Sequence, residues 1–155
     1  MKELNCDIQI VGGALTGLLT AYCVSSLGYK IAVSEKNNIS IFNEKNPADK
    51  RTTAIAEGSK VFLESQGLWK YIENFAEPIK KIKVVDTTAN SNLDFFNPIQ
   101  SSNLGYIVKN SKLINVLIKE LKKRDNVNFI TGSNLNSIYH SHGRIISLSE
   151  NKKIQ

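Results

Sequence analysis

Cysteine, histidine and arginine are scarce in this chain, and each shortage excludes something. Cys6 and Cys23 are the only cysteines in 155 residues, and no C-x-x-C spacing occurs. That rules out a disulfide-stapled miniprotein and leaves no zinc-ligand pattern. The two histidines, His140 and His142, have no carboxylate within five residues upstream, and the first one downstream is Glu150. They read as a solvated turn pair, not as general acid and base. Arginine numbers three against seventeen lysines, so the net charge of +6 rests on lysine. The basic runs, Lys80-Lys81 with Lys83 and Lys119 with Lys122, Lys123 and Arg124, carry no row of interleaved aromatics. A base-stacking platform needs such a row, so no specific nucleic-acid partner is expected. No long apolar run is present, and Lys2, Glu3, Asn5 and Asp7 crowd the start. This is neither a membrane span nor a signal peptide. The sequence reads as cytoplasmic, with peripheral contact at an inner membrane left open.

What is present is a globular composition. Hydrophobic residues make up 41 %, and a chain of this length can bury roughly two thirds of its extended surface. The opening is the most informative stretch. Ile8-Gln9-Ile10-Val11 reads as a strand, Gly12-Gly13-Ala14 follows at once, and Leu15, Leu18, Leu19, Tyr22 and Cys23 recur at helical spacing. Gly28 closes that helix, and residues 29–35 read as a second strand. Such a β-turn-α-turn-β run opens a parallel sheet. Residues 36–51 are polar and read as a loop, with room for one short strand. A helix is expected from Thr53 to Gly67, then a shorter one over residues 68–75 with Leu68, Trp69 and Ile72 inward. Residues 79–85 and 93–96 read as paired strands, and residues 105–108 as another strand. An amphipathic helix with Leu113, Ile114, Leu117, Ile118 and Leu121 on one side follows. Val127 to Ile130 is expected as the third strand of the parallel sheet. Leu135–Tyr139 and Arg144–Leu148 flank Ser141-His142-Gly143 as an antiparallel hairpin.

The glycine turn carries chemistry. In G-x-G-x-x-G the first glycine makes the tight turn, the second lets backbone approach a pyrophosphate, and the third lets helix and sheet pack closely. Gly12 and Gly17 match, with Gly13 between them. The central position is Ala14, whose methyl presses toward a phosphate unless the backbone shifts. The helix N-terminus behind it offers free N–H donors to an anion. Glu35 stands at the end of the second strand, 23 residues after Gly12. A carboxylate there accepts both hydroxyls of an adenosine ribose and repels a 2′-phosphate, which favours FAD or NAD over NADP. Arg51 follows the polar loop, and binding pyrophosphate and ordering the loop are both open to it, with Asp49 as a nearby ion partner. No nucleophile or acid–base constellation appears, so any chemistry has to come from a cofactor.

Four segments together resemble the FAD-dependent aromatic-ring monooxygenases, particularly the ubiquinone-biosynthesis hydroxylases. They are Asp7 to Gly17, similar to the FAD fingerprint; Ile31 to Lys36, with Glu35 as the ribose acid; Asp49 to Ala56, similar to a D-x-R segment whose arginine approaches the phosphate–ribitol region; and Leu104 to Asn110. The resemblance implies an α/β fold: a Rossmann-like FAD-binding βαβ core with a parallel sheet and an antiparallel hairpin, plus a small incomplete portion of a substrate domain. It divides the chain into 1–76 and 105–155 for FAD and 77–104 for substrate. The implied cofactor contacts are Gly12, Gly13, Ala14, Gly17, Glu35, Lys36, Arg51, and Lys109 or Asn110. The implied activity is hydroxylation of a phenolic ring, a ubiquinone precursor, with non-covalent FAD, NAD(P)H and O2. The resemblance covers essentially the whole chain but less than half of a family enzyme, so the sequence reads as an N-terminal piece lacking the later Asp-Gly and Gly-Asp segments. Two alternatives accompany it. One is a non-catalytic or split-enzyme nucleotide-binding piece that self-associates or pairs with a complementary chain. The other is a FAD-dependent oxidoreductase of another kind, against which residues 49–56 argue.

Overall fold

The computed structural model describes residues 2–39, 50–86, 88, 91–96, 103–132, 134–149 and 152–154. Most of the polar loop after residue 36, and Asp49 with it, lies outside them. The chain divides into two compact units, residues 1–44 with 114–155, and residues 45–113.

The first unit begins with β1 (Lys2–Leu4), β2 (Ile8–Val11), α1 (Leu15–Ser25) and β3 (Ile31–Glu35). The expected third strand is β9 (Val127–Thr131), and the sheet order is β2-β3-β9 with every pair parallel. Ile31, Ala32 and Val33 of the central strand are fully buried. A strand covered on both faces needs such a continuous apolar run, not an alternating one. α1 buries Leu18, Ala21, Tyr22 and Ser25, which share one helical face by their spacing. Cys23, expected in the core, is only half-buried. The helix ends at Ser25 with Ser26 as its C-cap, and the left-handed residue that turns the chain away is Gly28, at φ +86°. Arg124 holds this end in place. Its guanidinium lies over the Tyr22 ring at 4.1 Å and donates to the Tyr22 carbonyl and the Ser25 hydroxyl. One member of a basic run is therefore structural, placing positive charge at a helix C-terminus.

The hairpin forms as β10 (Leu135–Ser141) and β11 (Arg144–Ser149). Its two-residue loop is His142-Gly143, both at positive φ, the backbone of a type I′ turn. The structure adds two strands that sequence reading did not expect. β12 (Lys152–Ile154) pairs with β11, and β1 pairs with β12. Ile154, Ala32 and Ile130 form a buried cluster with Leu4 and Cys6 against it. A polar chain crosses this unit as well. Ser147 Oγ donates to Gln9 Oε1 at 2.6 Å, and Gln9 Nε2 donates to Ser34 Oγ at 2.9 Å.

The second unit departs from expectation at its start. Residues 52–56 are a strand, β4 (Thr52–Ala56), and the helix α2 begins only at Glu57 and runs to Ser65. Thr52, Thr53 and Ile55 are β-branched, and they pair antiparallel with β8 (Gly105–Lys109). Cross-strand packing of β-branched side chains outweighs the short-range helical spacing. Leu68, Trp69 and Ile72 are buried as expected, Trp69 in the 3-10 turn Trp69–Tyr71, Leu68 just before it, and Ile72 between it and a second such turn, Glu73–Phe75. β5 (Glu77–Ile79) completes the order β4-β8-β5. Lys60 fastens α2 here. It bridges Glu57 and Glu64 and lies within 6 Å of the Trp69 and Tyr106 ring centres (5.8 and 5.6 Å). The paired strands are β6 (Lys81–Asp86) and β7 (Ser91–Phe96), with Ile82 opposite Phe95 and Val84 opposite Leu93. Lys81 of the other basic run pairs with Asp94 at 2.7 Å. α3 (Asn110–Leu121) follows β8 directly.

Candidate nucleotide-binding site

The glycine turn joins β2 to α1, and its residues have distinct tasks. Gly12 sits at φ +108° and donates its N–H to the Ser34 carbonyl at 2.8 Å, which ties the turn to β3. A side chain would be strained there, yet a Cβ on Gly12 would meet nothing within 4 Å, so the space beside it is open. Gly17 answers to contact: a Cβ there would lie 1.9 Å from the Gly12 carbonyl oxygen. This is the close approach expected of the third motif glycine. Gly13 is also crowded, with a Cβ meeting Ile39 Cδ1 at 2.5 Å and Glu35 Cβ at 2.9 Å. Ala14 takes the extended N-cap conformation, and no side chain caps α1. The first helical bond runs from the Leu18 N–H to the Ala14 carbonyl. The N–H groups of Leu15, Thr16 and Gly17 have no partner within the helix, and no acidic side chain occupies its first turn. That end can therefore accept an anion.

Glu35 is built into the same turn. Its Oε2 accepts the Gly13 N–H at 2.8 Å and its Oε1 accepts the Asn37 N–H at 3.0 Å. The Asn37 bond first and the Gly13 bond second hold the carboxyl below its ordinary pKa. The Asn37 side chain bonds the carboxyl as well, and a carboxylate with about four acceptor sites still has room for a ligand hydroxyl. Lys36 next to it is exposed. The segment after Glu35 is clipped to the end of β9, with Gly132 N–H donating to the Asn37 carbonyl at 3.4 Å. Asn37 and Ile39 escaped sequence reading because they act through a backbone group and an aliphatic contact.

The other candidates lie in the second unit. The Asn110 N–H donates to the Arg51 carbonyl at 3.0 Å, one step beyond the β4–β8 ladder. The register sets Thr52 opposite Lys109 and Thr53 opposite Val108. Alternation along a strand puts Lys109 on one face and Asn110 on the other. Thr53 shares the Asn110 side, and its hydroxyl donates to Asn110 Oδ1 at 2.6 Å. Thr53 was missed because a helix from residue 53 hides its pairing with a residue 57 positions away.

Among the described residues no cluster of His, Cys, Asp or Glu can hold a metal, and no helix is long and apolar enough to cross a membrane. A cleft of about 780 Å3 runs beside β2, lined by Cys6, Gln9, Val11, Ile138, Arg144 and Ile145 among others. Among the described residues β2 is an edge strand, and Val11, Ile138 and Ile145, which line the cleft, are exposed.

No protein-family model matches the chain. Among characterised proteins it is similar to ubiquinone hydroxylase UbiL of Rhodospirillum rubrum, 28 % identical over 115 residues, covering 74 % of this chain and 27 % of that protein. It is likewise 28 % identical over 125 residues to the human mitochondrial ubiquinone biosynthesis monooxygenase COQ6, covering 75 % of this chain and 26 % of the relative. The chain thus spans about a quarter of the length of the relatives it matches. Solved structures share the fold. p-Nitrophenol 4-monooxygenase PnpA of Pseudomonas putida superposes with a TM-score of 0.76 at 17 % identity, over 99 % of this chain and 40 % of its own. PqsL of Pseudomonas aeruginosa, described as a probable FAD-dependent monooxygenase, gives 0.75 at 13 % identity, over 97 % and 40 %.

Proposed function

Since this chain is a homologue of the FAD-dependent ubiquinone-biosynthesis hydroxylases, we propose that it binds FAD and forms the nucleotide-holding part of a flavin monooxygenase. The observation that carries this reading is Glu35, ionised and fastened to the glycine turn beside an uncapped helix N-terminus. The free N–H groups of the first turn of α1 donate to the pyrophosphate, and the open side of Gly12 gives it room. Glu35 accepts the ribose hydroxyls on its remaining lone pairs. Its charge disfavours a 2′-phosphate at this position. Gly13, Ala14 and Gly17 shape the turn, and Lys36 sits at its rim. Arg51 and Asn110, with Lys109 on the opposite face of its strand, are assigned to the phosphate–ribitol and flavin portions. Residues 77–104 are assigned to the substrate side and the remainder of the chain to FAD.

Bound FAD would supply the redox chemistry, hydroxylation of a phenolic quinone precursor with NAD(P)H and O2, for which these side chains offer no substitute. The residues of this chain bind and orient. The fit is physical: a turn without β-carbons at its tight points, unpaired donors, and a carboxylate of the right charge. Uptake of FAD by the purified chain tests it. A flavin absorbance band persisting after gel filtration is expected, with binding weakened by Glu35→Ala and by Gly17→Val. A protein that stays colourless with excess FAD sinks the reading.

We also read the open edge of β2, with the mixed polar and apolar cleft beside it, as the place where a second copy or a complementary chain pairs. An exposed strand edge with unpaired backbone groups invites such pairing. Light scattering at high concentration is expected to show species heavier than 17.3 kDa; a strictly monomeric mass counts against it. Location at the surface of an inner membrane is part of the same proposal, tested by co-sedimentation with vesicles.

A further inference from the structure

We infer that Thr53 is a positioning residue that turns the Asn110 side chain into a hydrogen-bond donor toward the cofactor. This deepens the FAD reading and rests on it.

An asparagine at the first position of a helix has an easier use for its side-chain oxygen. It can accept a neighbouring backbone N–H. Asn110 makes no such bond among the described residues. Its Oδ1 accepts the Thr53 hydroxyl at 2.6 Å, and its own N–H is spent on the Arg51 carbonyl at 3.0 Å. Two of its three polar groups besides the carbonyl are thereby committed. What is left is Nδ2, with two hydrogens and no partner among the described residues. In this arrangement the hydroxyl donates to the amide oxygen, which leaves the nitrogen outward. Ile55, which shares Thr53's side of β4, and Val108, opposite Thr53 on β8, are both buried. The hydroxyl thus sits next to a packed core. The free amide hydrogens, at the N-terminal end of α3, suit an acceptor on the ligand: a phosphate oxygen, a ribitol hydroxyl or a flavin carbonyl. Lys109 cannot substitute, since it lies on the opposite face.

Fluorescence titration with FAD, run beside thermal melts of the FAD-free chain, separates positioning from plain support of the fold. Thr53→Val keeps shape and strand propensity but loses the hydroxyl; it is expected to weaken FAD binding about tenfold. Thr53→Ser is expected to restore it. Asn110→Asp keeps the oxygen that Thr53 binds and replaces the donor nitrogen by an acceptor. Its melt should stay near that of the wild type, while its affinity falls by at least about tenfold. Thr53→Val added to Asn110→Ala should cost nothing further, because Thr53 acts through Asn110. Unchanged affinity in Thr53→Val, wild-type affinity in Asn110→Asp, or full additivity in the double variant would each overturn the inference while leaving the FAD reading intact. A wild-type chain that takes up no FAD overturns both.

Discussion

At the scale of single residues, the glycine turn separates two reasons for glycine that a motif treats alike. Gly12 is required by its backbone angle, Gly17 by the carbonyl it nearly touches. Substituting alanine should therefore cost different amounts. Gly12→Ala meets open space and pays mainly conformational strain, about 1–2 kcal/mol. Gly17→Ala forces the turn and helix apart and should cost more, about 3 kcal/mol or above. Urea unfolding of the two variants checks this order, and an equal loss would contradict it. Glu35 supplies a second expectation. A carboxylate held below its ordinary value contributes fully above that value, about 4.3, and loses its contribution as pH falls through the lowered one. The Glu35 carboxyl resonance should titrate with a midpoint below that of an ordinary glutamate. A midpoint at or above about 4.3 would mean that the Asn37 and Gly13 bonds do not form in solution.

Elements came out of the sequence where spacing was local and were lost where pairing was remote. The βαβ opening, α3, the hairpin of β10 and β11, and β9 as third parallel strand were all legible, because each is marked by periodicity and turn residues within about a dozen positions. β4 was not. Its alanines and following hydrophobics fit a helix, and only a partner some fifty residues on makes it a strand. The same distance hid Thr53 from the candidate site, whereas Gly12, Gly17 and Glu35 lie close enough in sequence to be read as a pattern. Another remote link, from Ser147 through Gln9 to Ser34, joins β11 to the parallel sheet. Ser147 is fully buried, so Gln9→Leu should strand its hydroxyl and cost about 1–3 kcal/mol. Adding Ser147→Ala should recover much of that loss in thermal melts. Failure of the double variant to recover would show that Gln9 acts by packing alone.

For the molecule as a whole, the charge of +6 said little in sequence, and in the structure Lys60, Lys81, Lys123 and Arg124 are each engaged by neighbours. The apolar surface is more telling. Val11, Ile138 and Ile145 stand open beside β2, and a single lysine at Val11 should reduce association without disturbing β3, where Ile31 to Val33 carry the core. That central strand has another consequence, written in the order of synthesis. β2 can dock on β3 as soon as the first few dozen residues exist, for Ile8 pairs with Ile31. The opposite edge of β3 has to wait for Val127, which pairs with the same Ile31. During the whole passage of residues 36 to 126 through the ribosome, the most buried strand of the finished sheet has one unpaired side. The nascent chain thus carries its glycine turn long before the strand that pairs with the far side of β3 has been made.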